Sequence, residues 1–190
     1  MTKYTLLISF ILTALISNSL FAQTNEDFET GAVGWTNSGS ASTGAFVRGN
    51  PDGTTYQLEN DHTPGAGVNA FFTAFNPGGL GADDVDGGTA TTTSPIYNVT
   101  SASNLSIWYY FGQRDNNDDN GDFFRLEYST NGGGSYTTLV FIGDDTSNPV
   151  WTEATVFIPA GSNVRIRVSA ADGPGAGDII EAGIDDLTIS

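Results

Sequence analysis

The stretch Asp122-Phe-Phe-Arg-Leu-Glu-Tyr-Ser129 alternates apolar and polar side chains along most of its length. Successive side chains of an extended chain point to opposite faces, so Phe124 and Leu126 share one face. Arg125 and Glu127 share the opposite face. This two-residue period predicts a β-strand that is buried on one side and faces solvent on the other.

Short runs with a similar alternation recur through the chain, separated by stretches rich in Gly, Pro, Asn and Asp. The strands predicted in this way are Ala45–Arg48, Thr55–Leu58, Asn69–Phe75, Thr89–Thr93, Leu105–Phe111, Phe123–Ser129, Tyr136–Ile142, Glu153–Ile158, Val164–Ala170 and Gly183–Ile189. No later segment has a helical period of useful length. About ten short strands with long glycine-rich connections predict an all-β fold, a two-sheet antiparallel β-sandwich of the jelly-roll type.

The connection Gln113–Phe124 is rich in Asp and Asn, and part of it matches a calcium-binding EF-hand loop. Asp118, Asn120, Gly121 and Glu127 fall at template positions for two ligands, the turn glycine and the closing glutamate. The template also needs flanking helices, whereas both flanks here alternate as strands. We therefore predict a polar connection between two strands, which holds an ion weakly at most.

The first 22 residues, Met1–Ala22, have the features of a secretory signal peptide. Lys3 precedes the apolar run Leu6–Ile16, and cleavage is predicted near Ala22. The run is too short to span a bilayer easily, and no second apolar stretch follows it. We therefore expect no membrane insertion, and a protein that is secreted or held at the cell surface, with residues 23–190 forming one domain.

The charge of the chain limits its partners. There are 22 Asp and Glu residues against six Lys and Arg, which gives a formal net charge of −16. Such a field repels nucleic acids and anionic membranes and attracts cations. The chain contains no cysteine, so packing and any bound ion have to replace the disulfides common in extracellular domains.

The inventory of reactive side chains argues against catalysis. With no cysteine and a single histidine, His62, a nucleophilic triad would depend on that one residue, and a zinc enzyme lacks ligands. A glycoside hydrolase that uses two carboxylates stays open as an alternative, because acidic residues are abundant. We predict that the chain is not an enzyme.

Several segments, in the same order, resemble the elements of MAM domains, which are extracellular jelly-roll modules. Asp27-Phe-Glu-Thr-Gly-Ala-Val-Gly-Trp35 resembles the opening of that family, and Gly177–Ile189 resembles its closing strand. The segments between them that are similar to the family are Asn60–Gly67, Gly88–Pro95 and Leu105–Tyr110. The resemblance covers nearly all of residues 23–190 and implies the jelly-roll fold.

Three further segments, Asp84–Thr89, Asn131–Gly133 and Glu181–Asp186, are similar to the MAM-like modules of bacterial secreted metallopeptidases of the immune inhibitor A and carboxypeptidase type. That resemblance implies a non-catalytic accessory or adhesion module. If a peptidase domain followed Ser190, the module would be accessory to proteolysis, and the sequence leaves open whether such a domain or a sorting tail follows. Val33 stands where MAM domains of animal receptors carry their first cysteine, so disulfide-dependent adhesion is not implied.

The resemblance also implies a structural Ca²⁺ where the first and last strands meet. The predicted ligands are Glu29, Asp61, Asp86 and Asp185, with Asp84 and Glu181 as further candidates. Alternation with Leu187 and Ile189 would place Asp185 on the inner side of its strand, where an ionised carboxylate needs a partner or a metal. The alternative is that these carboxylates cap turns by accepting backbone hydrogen bonds.

Carbohydrate binding is the alternative function, because sugars stack on exposed aromatic faces that have polar groups beside them. Trp108 and Tyr110 share one side of a predicted strand that is apolar on both sides, which favours burial of that strand. The aromatic residues expected to be exposed beside turns are Tyr56, Tyr97 and Tyr136. We therefore predict a non-catalytic module that binds an extracellular protein or glycan, with a carbohydrate-binding module as the alternative.

Overall fold

The computed structural model describes residues 24–116, 121–174 and 177–190. The predicted signal peptide and part of the acidic connection, including Asp118 and Asn120, lie outside the described residues. The strands are β1 (Thr24–Glu26), β2 (Thr36–Gly39), β3 (Phe46–Gly49), β4 (Ala70–Thr73), β5 (Gly88–Thr93), β6 (Tyr97–Val99), β7 (Ser103–Arg114), β8 (Phe123–Ser129), β9 (Thr137–Ile142), β10 (Thr152–Ile158), β11 (Ser162–Asp172) and β12 (Ile179–Ile189). Over the described ranges, no helix is long and apolar enough to cross a membrane.

These strands form two antiparallel sheets of six strands each. Sheet 1 has the order β10-β7-β12-β4-β3, with β1 also paired to β12. Sheet 2 has the order β2-β5-β11-β8-β9, with β6 also paired to β11. The predicted all-β sandwich is confirmed.

The main core lies between the two sheets and is built from alternate residues of their central strands. Phe124 and Leu126 of β8 are fully buried in it, as their alternation predicts. Arg125 and Glu127 lie on the opposite face of β8, at the outer surface of sheet 2. Strand β8 therefore has its predicted bounds, and its side chains have their predicted orientation.

The outer face of sheet 1 is covered by the connection between β3 and β4. Gly112 of β7 lies so close to this connection that a Cβ atom there would be 2.0 Å from the carbonyl oxygen of Tyr56. Beneath the cover, Tyr110 and Phe72 are fully buried in a second, smaller apolar cluster. Trp151 packs edge-on against Tyr110 with ring centroids 5.0 Å apart. The interpretation of the aromatic strand as buried on both faces is confirmed at Tyr110.

One predicted strand, Thr55–Leu58, is wrong, because the segment folds into a local turn. The hydroxyl of Thr54 accepts hydrogen bonds from the backbone amides of Tyr56 and Gln57, and the Thr54 amide donates to the Gln57 carbonyl. A threonine side chain that satisfies nearby amides competes with sheet pairing. The short strands β1, β2 and β6 were not predicted, because they are only three or four residues long.

The alternation of β12 breaks near its end, which corrects the expected direction of Asp185. Ile184, Leu187 and Ile189 all face the main core, although Leu187 lies three positions after Ile184 and regular alternation would turn it to the opposite face. A β-bulge between Asp185 and Thr188, with Asp186 at a φ of 44°, supplies the extra residue. Asp185 therefore points to the outer face of sheet 1, where the covering connection buries it.

Candidate ligand groove and acidic clusters

A polar groove of about 520 Å³ crosses the outer face of sheet 2. Three arginines, six hydroxyl side chains, two aromatic rings and one carboxylate line it. The lining residues are Thr36, Ser38, Thr89, Thr91, Thr93, Phe123, Arg125, Glu127, Tyr136, Arg165, Arg167 and Ser169. On β5, β8 and β11 the lining residues lie two positions apart, because the residues between them point into the core.

Strand register arranges most of these side chains in two rows across the groove. The first row contains Thr36, Thr93, Arg167 and Glu127, which are successive partners on β2, β5, β11 and β8. The second row contains Ser38, Thr91, Ser169 and Arg125, and it continues to Phe141 on β9. Each row therefore offers hydrogen-bonding side chains on four adjacent strands.

The first row is held by an ion pair and a ring contact. Arg167 donates from Nε to Oε2 of Glu127 at 2.7 Å. The guanidinium carbon of Arg167 also lies 4.0 Å from the ring centroid of Tyr136, which is a cation–π distance. Tyr136, which is predicted from the sequence to be exposed beside a turn, is half-buried and lines the groove.

The other two arginines are also held in place. The guanidinium carbon of Arg125 lies 4.9 Å from the ring of Phe123 and 5.2 Å from that of Phe141. Arg165 donates from Nε to the carbonyl oxygen of Ser94 at 2.8 Å. Within the part of the chain that the structure describes, no hydrogen bond engages the terminal nitrogens of these arginines or of Arg167.

The other two aromatic residues predicted beside turns lie outside the groove. Tyr97 packs against the main core, where burial raises the pKa of its phenol. Tyr56 belongs to the connection over sheet 1 and faces Gly112 with its carbonyl group. Of the three predicted aromatic residues, only Tyr136 is therefore placed where it can contact a ligand in the groove.

A first acidic cluster forms where β1 and β12 pair, at the other face of the sandwich. Asp185 accepts hydrogen bonds at Oδ2 from the backbone amides of His62 and Thr63, at 2.8 and 3.3 Å. Asp186 accepts at Oδ1 from the Thr63 hydroxyl at 3.0 Å, and its Oδ2 lies 2.7 Å from Nδ1 of His62. Burial raises the pKa of Asp185 to about 7, and the neighbouring charges of Asp186 and Asp61 add to that rise.

Two further predicted ligands, Asp61 and Glu29, border this cluster. Burial raises the pKa of Asp61, and the charges of Glu29 and Asp186 raise it further. Oδ2 of Asp61 is buried and has no hydrogen-bond partner. Glu29 accepts from the backbone amides of Val68 and Asn69 at 2.9 and 2.7 Å. The structure thus brings Glu29, Asp61 and Asp185 to one end of the sandwich.

The remaining predicted ligands lie elsewhere. Glu181 is fully buried and accepts hydrogen bonds from the side chains of Thr73, Asn76 and Gln57, at 2.7, 2.6 and 3.1 Å. Burial raises its pKa to about 8. Asp84 accepts from the Ile180 amide at 3.1 Å, and burial raises its pKa to about 6.

Asp86 lies near Asp84, since the Thr43 hydroxyl contacts both the Asp84 carbonyl oxygen at 2.7 Å and Oδ2 of Asp86 at 3.1 Å. The charge of Asp86 also adds to the raised pKa of Asp84. The six predicted residues are therefore divided between separate places on the sandwich rather than gathered around one point. The first and last strands do meet as expected, with Glu26 opposite Leu187.

Within the described ranges, a different acidic cluster brings three carboxylate oxygens close together. Asp122, Asp172 and Asp178 each offer a carboxylate oxygen, and these three atoms lie within 4.8 Å of one another. Asp122 and Asp178 are buried, and Oδ2 of Asp178 has no hydrogen-bond partner. Burial raises the pKa of Asp172, helped by the charges of Asp86 and Asp178. Such a group could hold a metal ion.

Sequence reasoning did not identify this cluster, because its members come from three different segments. Asp122 precedes β8, Asp172 ends β11 and Asp178 precedes β12. Their meeting depends on the pairing of β8 with β11, in which Phe123 lies opposite Ala171. The acidic β7–β8 connection was the available sequence signal for a metal site here. Only Asp122 comes from that connection, whereas Asp172 and Asp178 lie at the end of β11 and just before β12.

No known family model and no curated protein matches the chain. Its fold is similar to that of the K1 cleaved adhesin domain of Lys-gingipain from Porphyromonas gingivalis, with 16% identity, a TM-score of 0.55, and coverage of 88% of this chain and 96% of that one. The K3 cleaved adhesin domain of the same protein matches with 18% identity and a TM-score of 0.51, over 87% and 95% of the two chains. The carbohydrate-binding module TmCBM61, solved in complex with β-1,4-galactotriose, matches with 16% identity and a TM-score of 0.53, over 87% and 94%.

Proposed function

We propose that the chain is a non-catalytic binding module that acts outside the cell and holds an extended glycan in the groove of sheet 2. The observation that carries this proposal is the pair of polar rows that crosses four adjacent strands. Hydroxyl and guanidinium groups suit the many hydroxyls of a sugar chain, and Tyr136 and Phe123 supply aromatic surface beside them. The fold similarity to adhesin domains and to a carbohydrate-binding module is compatible with this role.

The lining of the groove also favours glycan over protein and binding over hydrolysis. The centre of a protein–protein interface is usually more apolar and poorer in charge than this surface. A two-carboxylate glycoside hydrolase needs two acids that flank the scissile bond. Glu127 is the only acid among the described residues that line the groove, and it is paired with Arg167.

Binding is tested by affinity electrophoresis in gels that contain single polysaccharides. We expect retardation in at least one gel, and at least tenfold weaker binding for Tyr136→Ala and Thr93→Val. Thr155→Val is the matched control, because Thr155 is exposed on β10 of the opposite sheet. Equal retardation of the groove variants and the wild type would show that the glycan site is elsewhere, and an absence of retardation in every gel would contradict the proposal.

A role beside a secreted peptidase, as a MAM-like accessory module, is part of the same proposal. By binding the glycan, the module would then keep a catalytic domain close to its substrate. This role predicts that fusion of the chain to a peptidase increases cleavage of protein embedded in the bound polysaccharide, without any change in cleavage of free protein. An equal rate for the fused and the separate peptidase on embedded protein would contradict the accessory role and leave glycan binding unaffected.

We also propose that Ca²⁺ stabilises the module, with Asp122, Asp172 and Asp178 as its first-choice ligands. Calcium takes roughly six to eight oxygen ligands and accepts them from irregular connections. The free buried oxygen of Asp178 fits such an ion, because a buried carboxylate oxygen without a partner is costly. The end cluster of Glu29, Asp61 and Asp185 is the second candidate position, and there the unpartnered Oδ2 of Asp61 fits in the same way.

A further inference from the structure

The basic residues of the chain are concentrated in the groove. Arg125, Arg165 and Arg167 are three of the six basic residues in the sequence, and all three line it. Glu127 is the only acid among the described residues of the lining, which therefore carry a formal charge of +2, whereas the whole chain carries −16. A positive groove on such a negative protein is a local feature that general solubility does not require.

The arginines are fixed with part of their hydrogen-bonding capacity left over. Arg167 uses Nε for Glu127, and Arg165 uses Nε for the Ser94 carbonyl. Arg125 is held by ring contacts with Phe123 and Phe141 rather than by a hydrogen bond. A guanidinium group carries five N–H donors and is well suited to a carboxylate, so each of these side chains keeps terminal N–H groups for a ligand.

From this arrangement we infer that the glycan bound in the groove is acidic and carries carboxylate groups, as a polyuronate does. The inference rests on the proposed glycan-binding function and adds the ligand class. Arg165 and Arg167 lie on the same face of β11, and Arg125 lies on the neighbouring strand β8. The charges therefore sit at several points of the groove and match a ligand with repeated carboxylates, while the threonine side of the groove faces its hydroxyls.

The overall negative charge of the chain affects where a carboxylated glycan can bind. At physiological ionic strength the Debye length is about 8 Å, so exposed acids farther away than that are largely screened. The arginines act at contact distance and are screened much less. A carboxylated glycan is consequently attracted at the groove and weakly repelled elsewhere, which selects for binding at this face.

The test uses affinity electrophoresis of the whole protein in polygalacturonate and in the same polymer after its carboxyl groups have been reduced to alcohols. We expect retardation in the native polymer and at least tenfold weaker binding to the reduced one. Arg125→Gln should weaken binding to the native polymer about tenfold and weaken binding to the reduced polymer clearly less, because only the native polymer offers a carboxylate to the guanidinium group. The matched control is Arg114→Gln, which removes one positive charge outside the groove lining.

Each result decides between the inference and its alternatives. Equal binding to the native and the reduced polymer would overturn the acidic ligand while glycan binding stands. Retardation in neutral polysaccharide gels alone would overturn it in the same way. Arg125-dependent binding of poly-glutamate, without any binding of polysaccharide, would overturn both the acidic glycan and the proposed function in favour of an acidic peptide. Arg165→Gln is a second variant, which should weaken binding to the native polymer in the same direction if Arg125→Gln impairs folding.

Discussion

The imidazole ring of His62 lies flat on the indole ring of Trp108, with centroids 3.7 Å apart and an interplanar angle of 15°. The same imidazole is 2.7 Å from Asp186 through Nδ1. The only histidine of the chain is thus held between an aromatic ring and a carboxylate, where it joins the covering connection to the end of β12. These contacts favour a structural role for His62.

His62→Ala should lower the free energy of unfolding by about 1 to 2 kcal/mol, because one hydrogen bond and the aromatic contacts with Trp108 and Trp151 are lost. The backbone amide of His62 still donates to Asp185 in this variant, so the connection keeps its main anchor. Urea denaturation monitored by tryptophan fluorescence measures the change. Asn60→Ala, in the same connection, is the control and should change stability little; an equal loss in both variants would contradict the specific role of the ring.

The buried Glu181 predicts that stability falls as the pH rises. Its folded pKa is about 8 against an ordinary value of 4.5, so the folded state favours the neutral acid. The stability from this group is fully present below pH 4.5 and is lost as the pH rises through 8, by an amount on the order of a few kcal/mol. Neutral Glu181 can donate to the Thr73 hydroxyl, which in turn reaches the Ala182 carbonyl at 3.3 Å.

Denaturation curves at pH 5 and pH 9, recorded with a chelator present, test this expectation. The difference between the two pH values should shrink clearly in Glu181→Gln, which keeps the shape of the side chain and cannot ionise. Asp84 and Asp185 titrate in both proteins, so the comparison reports the ionisation of Glu181 together with its charge coupling to Asp84. Parallel pH dependences of the wild type and the variant would show that Glu181 is ionised at neutral pH or does not contribute.

Removal of calcium should lower the melting temperature of the wild type. A ligand at one hundred times its dissociation constant stabilises the folded state by about 2.7 kcal/mol, which corresponds to several degrees for a domain of this size. Asp178→Asn should abolish the response to calcium, whereas Asp61→Asn should leave it intact. Asp83→Asn, which removes one exposed charge from another acidic connection, is the control.

The thermal curves also separate the two calcium positions. Loss of the response in Asp61→Asn but not in Asp178→Asn would move the ion to the end cluster of Glu29, Asp61 and Asp185. A wild-type melting temperature that is the same in excess calcium and in excess chelator would contradict structural calcium at both positions.

Gly183 of β12 is expected to tolerate no side chain. A Cβ atom at this position would lie 2.3 Å from Cε1 of Tyr110, whose ring is buried against Trp151 and has no room to move. Gly183→Ala should therefore destabilise the fold by about 1 to 3 kcal/mol, the usual effect of overpacking. In Gly143→Ala the nearest atom would be 3.6 Å away, so that control should be close to neutral. Equal melting temperatures for the two variants would contradict the close contact.

Much of the fold could be predicted because burial on one face leaves a clear alternation. The strand Phe123–Ser129 has its predicted bounds, since Phe124 and Leu126 enter the core and their neighbours do not. In contrast, β2 is exposed at every position, so its pairing with β5 leaves no apolar pattern in the sequence. Asp185 was expected to face inward, because a bulge cannot be recognised from alternation alone.

The groove was only partly predictable. Arg165 and Arg167 alternate with buried Val164 and Ile166, so the sequence places both arginines on one face of a strand. The strands that neighbour β11 are determined by the strand order of the sheet, and this order places Arg125 of β8 next to the two arginines. A single sequence does not specify strand order, because short strands with similar patterns have many alternative pairings. The residue-level indications of the groove were therefore the predicted position of Tyr136 beside a turn and the shared face of the two arginines.

The central place of β12 determines when the protein can fold. This strand pairs with β7, β4 and β1, so sheet 1 lacks its middle until residues 179–189 are available. Glu26 pairs with Leu187, and Tyr110 pairs with Gly183. The two residues of each pair are far apart along the chain. Contacts between distant residues make folding slow, because closing a large loop costs entropy before the contact forms. The sandwich is consequently expected to close only after residues 179–189 have been synthesised.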